Sequence, residues 1–171
     1  MRRQLCGLAA AALAACAPAL DWREVRPEGS GVTALLPCRP SQMERTLPLA
    51  GRPVKLLLAA CSAGGQTWGI AVADMGDPAL VGPALDALRR SAAANVGAAE
   101  GRPLPLTVPG ATPAAQAGRV ALEGRNPEGS AVLEQVAVFA HGTRVVQATV
   151  LGEKLPADGV DTFFTSLKVG P

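Results

Sequence analysis

The chain has 171 residues, with 16 Lys and Arg against 14 Asp and Glu, a single His, two Trp, three Phe and no Tyr. That length suits one domain behind a leader. Arg2 and Arg3 fall in the leader and leave the rest of the chain balanced in charge, so it has neither the basic stripe nor the stacking rings that nucleic acid requires.

Arg2 and Arg3 precede an uncharged, apolar run from Leu5 to Ala15 that ends in small side chains, which reads as a secretory signal over residues 1–15. As a helix such a run reaches about 16 Å, roughly half of a bilayer's hydrocarbon core. No later segment is both long and apolar enough to span. The run closes on Leu13-Ala14-Ala15-Cys16, which resembles the lipobox of bacterial lipoproteins. The resemblance implies that the Cys16 thiol is alkylated by a diacylglyceryl group and becomes the first residue after cleavage. Each buried methylene of such chains contributes about 0.8 kcal/mol, so a lipoprotein's two or three acyl chains would hold it permanently. Ala17, rather than Asp, follows Cys16, and similarity to Gram-negative sorting signals then implies the outer membrane, facing the periplasm. The alternative is an ordinary leader, because Ala15-Cys16-Ala17 also fits the A-x-A site of the general signal peptidase.

Residues 16–29 read as the lipidated N-terminus and a tether, with Trp22 covering a core edge, and residues 30–171 as a single domain. Val32 to Pro37 is a first strand, and Arg45 to Ala50 a second, closed by Gly51-Arg52-Pro53. Val54 to Cys61 and Thr67 to Asp74 form a hairpin of central strands across Ser62-Ala63-Gly64-Gly65. Once Cys6 is removed and Cys16 acylated, Cys38 and Cys61 remain. An even pair in an exported chain reads as a disulfide; a metal site would want more ligands nearby, and an oxidising compartment would not preserve free thiols.

Asp77 is placed to cap a helix with Pro78 at its first position. Val81, Leu85, Leu88, Ala92 and Val96 make one apolar stripe before Gly97 ends it, while Asp86, Arg89 and Arg90 face water. Residues 98–114, rich in proline and glycine, are a long irregular crossing that includes a short edge strand; such a loop either binds something or merely connects. Gln116 to Glu123, Ala131 to Ala140 and Thr143 to Leu151 follow as an antiparallel meander, turning at Arg125–Gly129 and at His141-Gly142. Glu134, Gln135, Arg144 and Gln147 supply its polar positions. A short terminal helix bears Val160, Phe163, Phe164 and Leu167. The fold class is therefore α+β: an antiparallel sheet of about six to eight strands, with one long helix and a short C-terminal helix packed on it.

Gly31-Val32-Thr33-Ala34-Leu35-Leu36-Pro37, the strand into Asp74 followed by the long helix, and Phe163-Phe164-Thr165-Ser166-Leu167 together resemble small exported domains of the PsbP-like and DcrB-like type over about residues 30–169. The resemblance implies an α/β/α sandwich around an antiparallel sheet, and mostly non-enzymatic accessory or binding roles. The Cys38 and Cys61 pair departs from the general pattern of that group.

No catalytic, cofactor-binding or metal-ligating constellation stands out. His141 sits in a turn without obvious partners. Gly29-Ser30-Gly31 lacks the surroundings of a nucleophile elbow, and Gly64-Gly65 with Gly69 is too sparse for a phosphate cradle. Asp74 and Asp77 lie three apart at a strand-to-helix junction, where a cation could be imagined, but helix capping by Asp77 accounts for one of them without it. The leading expectation is a non-enzymatic, periplasm-facing lipoprotein that binds an envelope protein or a small apolar or peptide ligand. Its alternatives are a hydrolase assembled around His141 and a purely structural or stress component of the envelope.

Overall fold

The structure is a computed structural model that describes residues 20–170. Cys16 and residues 1–15, read from sequence as a leader, lie outside the described residues. Along the chain run β1 (Arg23–Val25), β2 (Val32–Leu36), β3 (Ser41–Leu49), β4 (Arg52–Ala63), β5 (Gln66–Asp74), α1 (Val81–Asn95), β6 (Arg102–Leu104), β7 (Gly118–Arg125), β8 (Ala131–His141), β9 (Arg144–Gly152), α2 (Ala157–Ser166) and β10 (Lys168–Val169).

Seven strands make one antiparallel sheet in the order β3-β4-β5-β9-β8-β7-β6. Two local meanders, β3-β4-β5 and β7-β8-β9, meet at the β5–β9 seam, and α1 carries the chain from one to the other. Short turns explain the meanders. Leu49 pairs with Arg52 and Ala63 with Gln66, leaving the two-residue loops Ala50-Gly51 and Gly64-Gly65. All four of these residues have positive φ, as the twist-matched type I′ hairpin requires.

Pleating sends alternate side chains to opposite faces. On one face Val81, Ala84, Leu85, Leu88 and Ala92 of α1 pack on sheet residues including Leu56, Val136, Val138 and Val145. A 3₁₀ turn over Pro78–Leu80 opens this helix, with Asp77 Oδ1 accepting from the Ala79 amide at 2.8 Å. On the other face Val160, Phe163, Phe164 and Leu167 bury Trp68, Ile70, Phe139 and Val150. All five aromatic rings belong to this second face. Trp22, Trp68, Phe163 and Phe164 stand in an edge-on string with centroid spacings of 5.7, 5.7 and 5.0 Å.

The sequence reading differs from the structure in several places. β3 starts at Ser41 rather than Arg45, and Arg52 and Pro53, read as turn residues, pair with Leu49 and Pro48 as the start of β4. Residues 21–29 are not a tether: β1 pairs with β2, Val25 is buried, and the Asp21 amide donates to the Pro37 carbonyl at 2.8 Å. β2 does not join the large sheet either. It forms a separate three-stranded sheet with β1 and β10. Cys38, just past β2, is bonded to Cys61 on β4, with Cα atoms 6.0 Å apart, which ties the small sheet to the large one. Among the described residues no helix is long and apolar enough to cross a membrane.

Candidate functional site

α1 stops short of one end of the sheet it covers. Gly97 takes the left-handed conformation that ends helices, and its amide and that of Ala98 close on the Ala94 and Ala93 carbonyls. The Val96 carbonyl then accepts from the Arg125 amide at 2.8 Å, which fixes the helix end against β7. Beyond Asn95 and Val96 the α1 face of β4, β5 and β9 is left hollow, because Ala60, Gly69 and Ala71 there carry little or no side chain. The result is a cavity of about 270 Å³, walled by Leu58, Ala60, Ala71 and Leu151 and edged by Gln147 and Thr149.

Glu134 of β8 lines this cavity. It pairs in register with Leu122 and Leu151, in phase with the buried Val132 and Val136, so the pleat sends its carboxyl to the α1 face. Glu134 is only 5% exposed, and among the described residues its Oε2 has no hydrogen-bond partner. Burial alone pushes its pKa from 4.5 up to about 7. A buried, unpartnered acceptor costs about 1–3 kcal/mol. Beside it Gln147 Nε2 donates to Thr149 Oγ1 at 3.1 Å, which leaves Gln147 Oε1 as a further acceptor. This combination of apolar wall and one unsatisfied polar group is that of a ligand pocket.

The opposite face carries two adjoining clefts of about 480 and 630 Å³ under the segment that follows β6. That segment is ordered by its own bonds: the Thr112 amide donates to Ala140 O at 2.8 Å and the Val169 amide to Pro109 O at 2.9 Å. Arg119 reaches into the larger cleft with its guanidinium 3.8 Å from the centre of the Phe164 ring. Its Nε and Nη2 donate to Gln135 Oε1, and Asp161 stands 3.8 Å away. Burial lowers the Arg119 pKa and Asp161 opposes the shift. Here the polar groups already have partners within the chain, unlike Glu134.

The residues considered from sequence are placed as follows. His141 ends β8 and donates from Nδ1 to the Gly110 carbonyl at 3.0 Å, so it pins the loop; no hydroxyl or carboxylate bonds to it among the described residues. Ser30 is buried, donating to Pro27 O at 2.6 Å and accepting from the Val32 amide at 3.0 Å. Asp74 Oδ1 accepts from Thr143 Oγ1 at 2.7 Å and from the Gly76 amide at 2.9 Å, bonds that hold its carboxyl below its usual pKa. Asp74 and Asp77 thus serve a turn and a cap. Glu134 escaped the sequence reading because strand alternation made it one more polar position. The available signal was its phase: it alternates with Val132, Val136 and Val138, the buried set, and not against them. No protein-family model matches the chain, and none of the curated proteins matches it.

Proposed function

We propose that this chain is a non-enzymatic binding protein of the bacterial cell envelope, anchored through lipid on Cys16 to the outer membrane and facing the periplasm, with a domain of the PsbP-like and DcrB-like type. The domain takes its ligand in the Glu134 cavity. The observation that carries the binding role is the buried carboxyl whose Oε2 lacks a partner at the edge of an apolar hollow. Such an arrangement costs stability in the empty protein and is compensated when a ligand supplies the missing donor. The Arg2-Arg3 start, the apolar run and Leu13-Ala14-Ala15-Cys16 support the anchor, and a disulfide accords with an oxidising compartment. Against the hydrolase reading, His141 bonds to the Gly110 carbonyl and, among the described residues, to no hydroxyl or carboxylate that could act with it.

Fractionation tests the anchor. The wild-type chain is expected in the membrane pellet and Cys16→Ser in the soluble fraction, with a mass shift of the N-terminal peptide confirming the acyl chains. A Cys16→Ser variant that still sediments with membranes, or a wild-type chain with an unmodified terminus, overturns it.

A further inference from the structure

From the lining of the Glu134 cavity we infer that its ligand is a small primary aliphatic ammonium ion, held by the Glu134 carboxylate and admitted as the Glu134 proton leaves to solvent. This rests on the reading of the cavity as the ligand site and adds the chemistry of what enters it.

The lining selects charge first. It holds one acid and no Lys, Arg or His, so an anion would meet a carboxylate and, beside the neutral side chains of Asn95, Thr67, Gln147 and Thr149, no cation to balance it. A purely apolar ligand would leave Oε2 as unpartnered as before. An ammonium group brings three donors and no acceptor. The lining answers with acceptors: the Glu134 oxygens, Thr149 Oγ1 and Gln147 Oε1. The walls select the rest of the molecule. Leu58, Ala60, Ala71 and Leu151 offer aliphatic contact, and Met43, which pairs with Leu58 on the same face of the edge strand, is 45% exposed and extends that surface outward. The volume of about 270 Å³ keeps the ligand small.

Proton balance follows from the same geometry. Protonated Glu134 and R–NH₃⁺ combine to give the carboxylate–ammonium pair and one proton in bulk water; no other bond changes. No neighbouring charge competes. On α1, Asp86 and Arg89 pair with each other at 3.0 Å and Arg90 is exposed. Glu100 lies exposed in the connection after α1; on the same sheet face Arg45 pairs with Leu56, one in-phase position along from Met43 and Leu58, and Arg52 flanks the hairpin turn; none of the three lines the cavity. Arg119, Glu123 and Arg125 of β7 and Arg144 of β9 point to the opposite face by register. Burial is the sole cause acting on Glu134.

The test titrates n-butylamine hydrochloride, 1-butanol and sodium butyrate into the purified full chain in detergent micelles, following NMR shifts of Leu58, Gly69 and Leu151. Butylammonium is expected to bind saturably at these residues, about tenfold more weakly at pH 6 than at pH 8, and calorimetry in buffers of different ionisation enthalpy should show about one proton released per amine at pH 6. Glu134→Gln should lose both the binding and its pH dependence while melting cooperatively. Gly69→Leu, which keeps the carboxyl and fills the hollow, should also lose the binding. If butanol or butyrate binds at these residues as well as the amine does, or amine affinity does not change with pH, the ammonium inference falls while the cavity remains a ligand site. If none of the probes shifts these residues, the site reading falls and takes the inference with it.

Discussion

Glu134 is a carboxyl that folding drives toward its protonated form, and that has a sign. Its pKa is 4.5 in an exposed setting and about 7 in the fold. Below 4.5 both states hold the proton and no stability is at stake. As pH rises from 4.5 through 7 the unfolded chain ionises while the folded chain keeps its proton, so stability falls, by about 3 kcal/mol once above 7. Asp74 behaves oppositely: bonds from Thr143 and Gly76 lower its pKa, so its contribution is present at neutral pH and lost in acid. Comparing Glu134→Gln with wild type at each pH cancels Asp74 and isolates Glu134. In urea unfolding, the variant should gain about 3 kcal/mol on wild type between pH 4 and pH 8. A difference that stays constant over that range would mean that Glu134 is solvated, and the cavity would lose its defining group.

At the scale of elements, the end of α1 matters most, because Asn95 and Val96 form one side of the cavity. β7 approaches that end so closely that a Cβ at Gly124 would stand 1.8 Å from the Val96 carbonyl oxygen. Backbone cannot yield there as a flexible side chain could. Gly124→Ala is therefore expected to cost about 3 kcal/mol and lower the melting temperature by about 6–12 °C. Gly69→Ala is the control: its Cβ would meet Ala60 Cβ at 3.6 Å and the Ala59 carbonyl oxygen at 3.8 Å, both ordinary contacts, and should melt within about 2 °C of wild type. Equal melting of the two variants would mean that the helix end is free to move off the sheet. The element itself was legible in sequence, because the stripe from Val81 to Ala92 repeats over about three turns and Asp77-Pro78 marks its start. The hairpins were legible from Gly51, Gly64-Gly65 and Gly142. β1 and β10 were not: strands of three and two residues carry no period to detect, and they exist only because β2 lies between them.

The whole molecule is asymmetric about its large sheet. The α2 face is packed with aromatic rings and flanked by a second small sheet, with its clefts lying under the segment after β6, while the α1 face is covered by one aliphatic helix and left open beyond its end. Sequence composition announced few aromatics but not that all five would gather on one side, since that depends on register across strands distant in the chain. For the same reason the cavity was not legible: its lining comes from β4, β5, α1, β8 and β9, and no local pattern joins Leu58 to Glu134 or Thr149. The pairing of Cys38 with Cys61, in contrast, was reached from a count of cysteines, on the expectation that Cys6 leaves with a leader and Cys16 is acylated. What the count did not reveal is that the bond joins two sheets. Because it closes a span of 23 residues, the chain-entropy cost of opening it is about 3 kcal/mol, and because β2 is also held by α2, through the Ser166 hydroxyl that accepts from the Leu35 amide at 2.8 Å, reduction should loosen the molecule without dismantling it. Urea unfolding under dithiothreitol is expected to show a midpoint lowered by that amount with one cooperative transition. Hydrogen exchange should speed most in β1 and β2 and least at the β5–β9 seam. An early separate transition of the small sheet would mean that the bond alone holds it; an unchanged midpoint, with both thiols titratable, would mean that the two sheets are joined by packing and that Cys38 and Cys61 contribute nothing to stability.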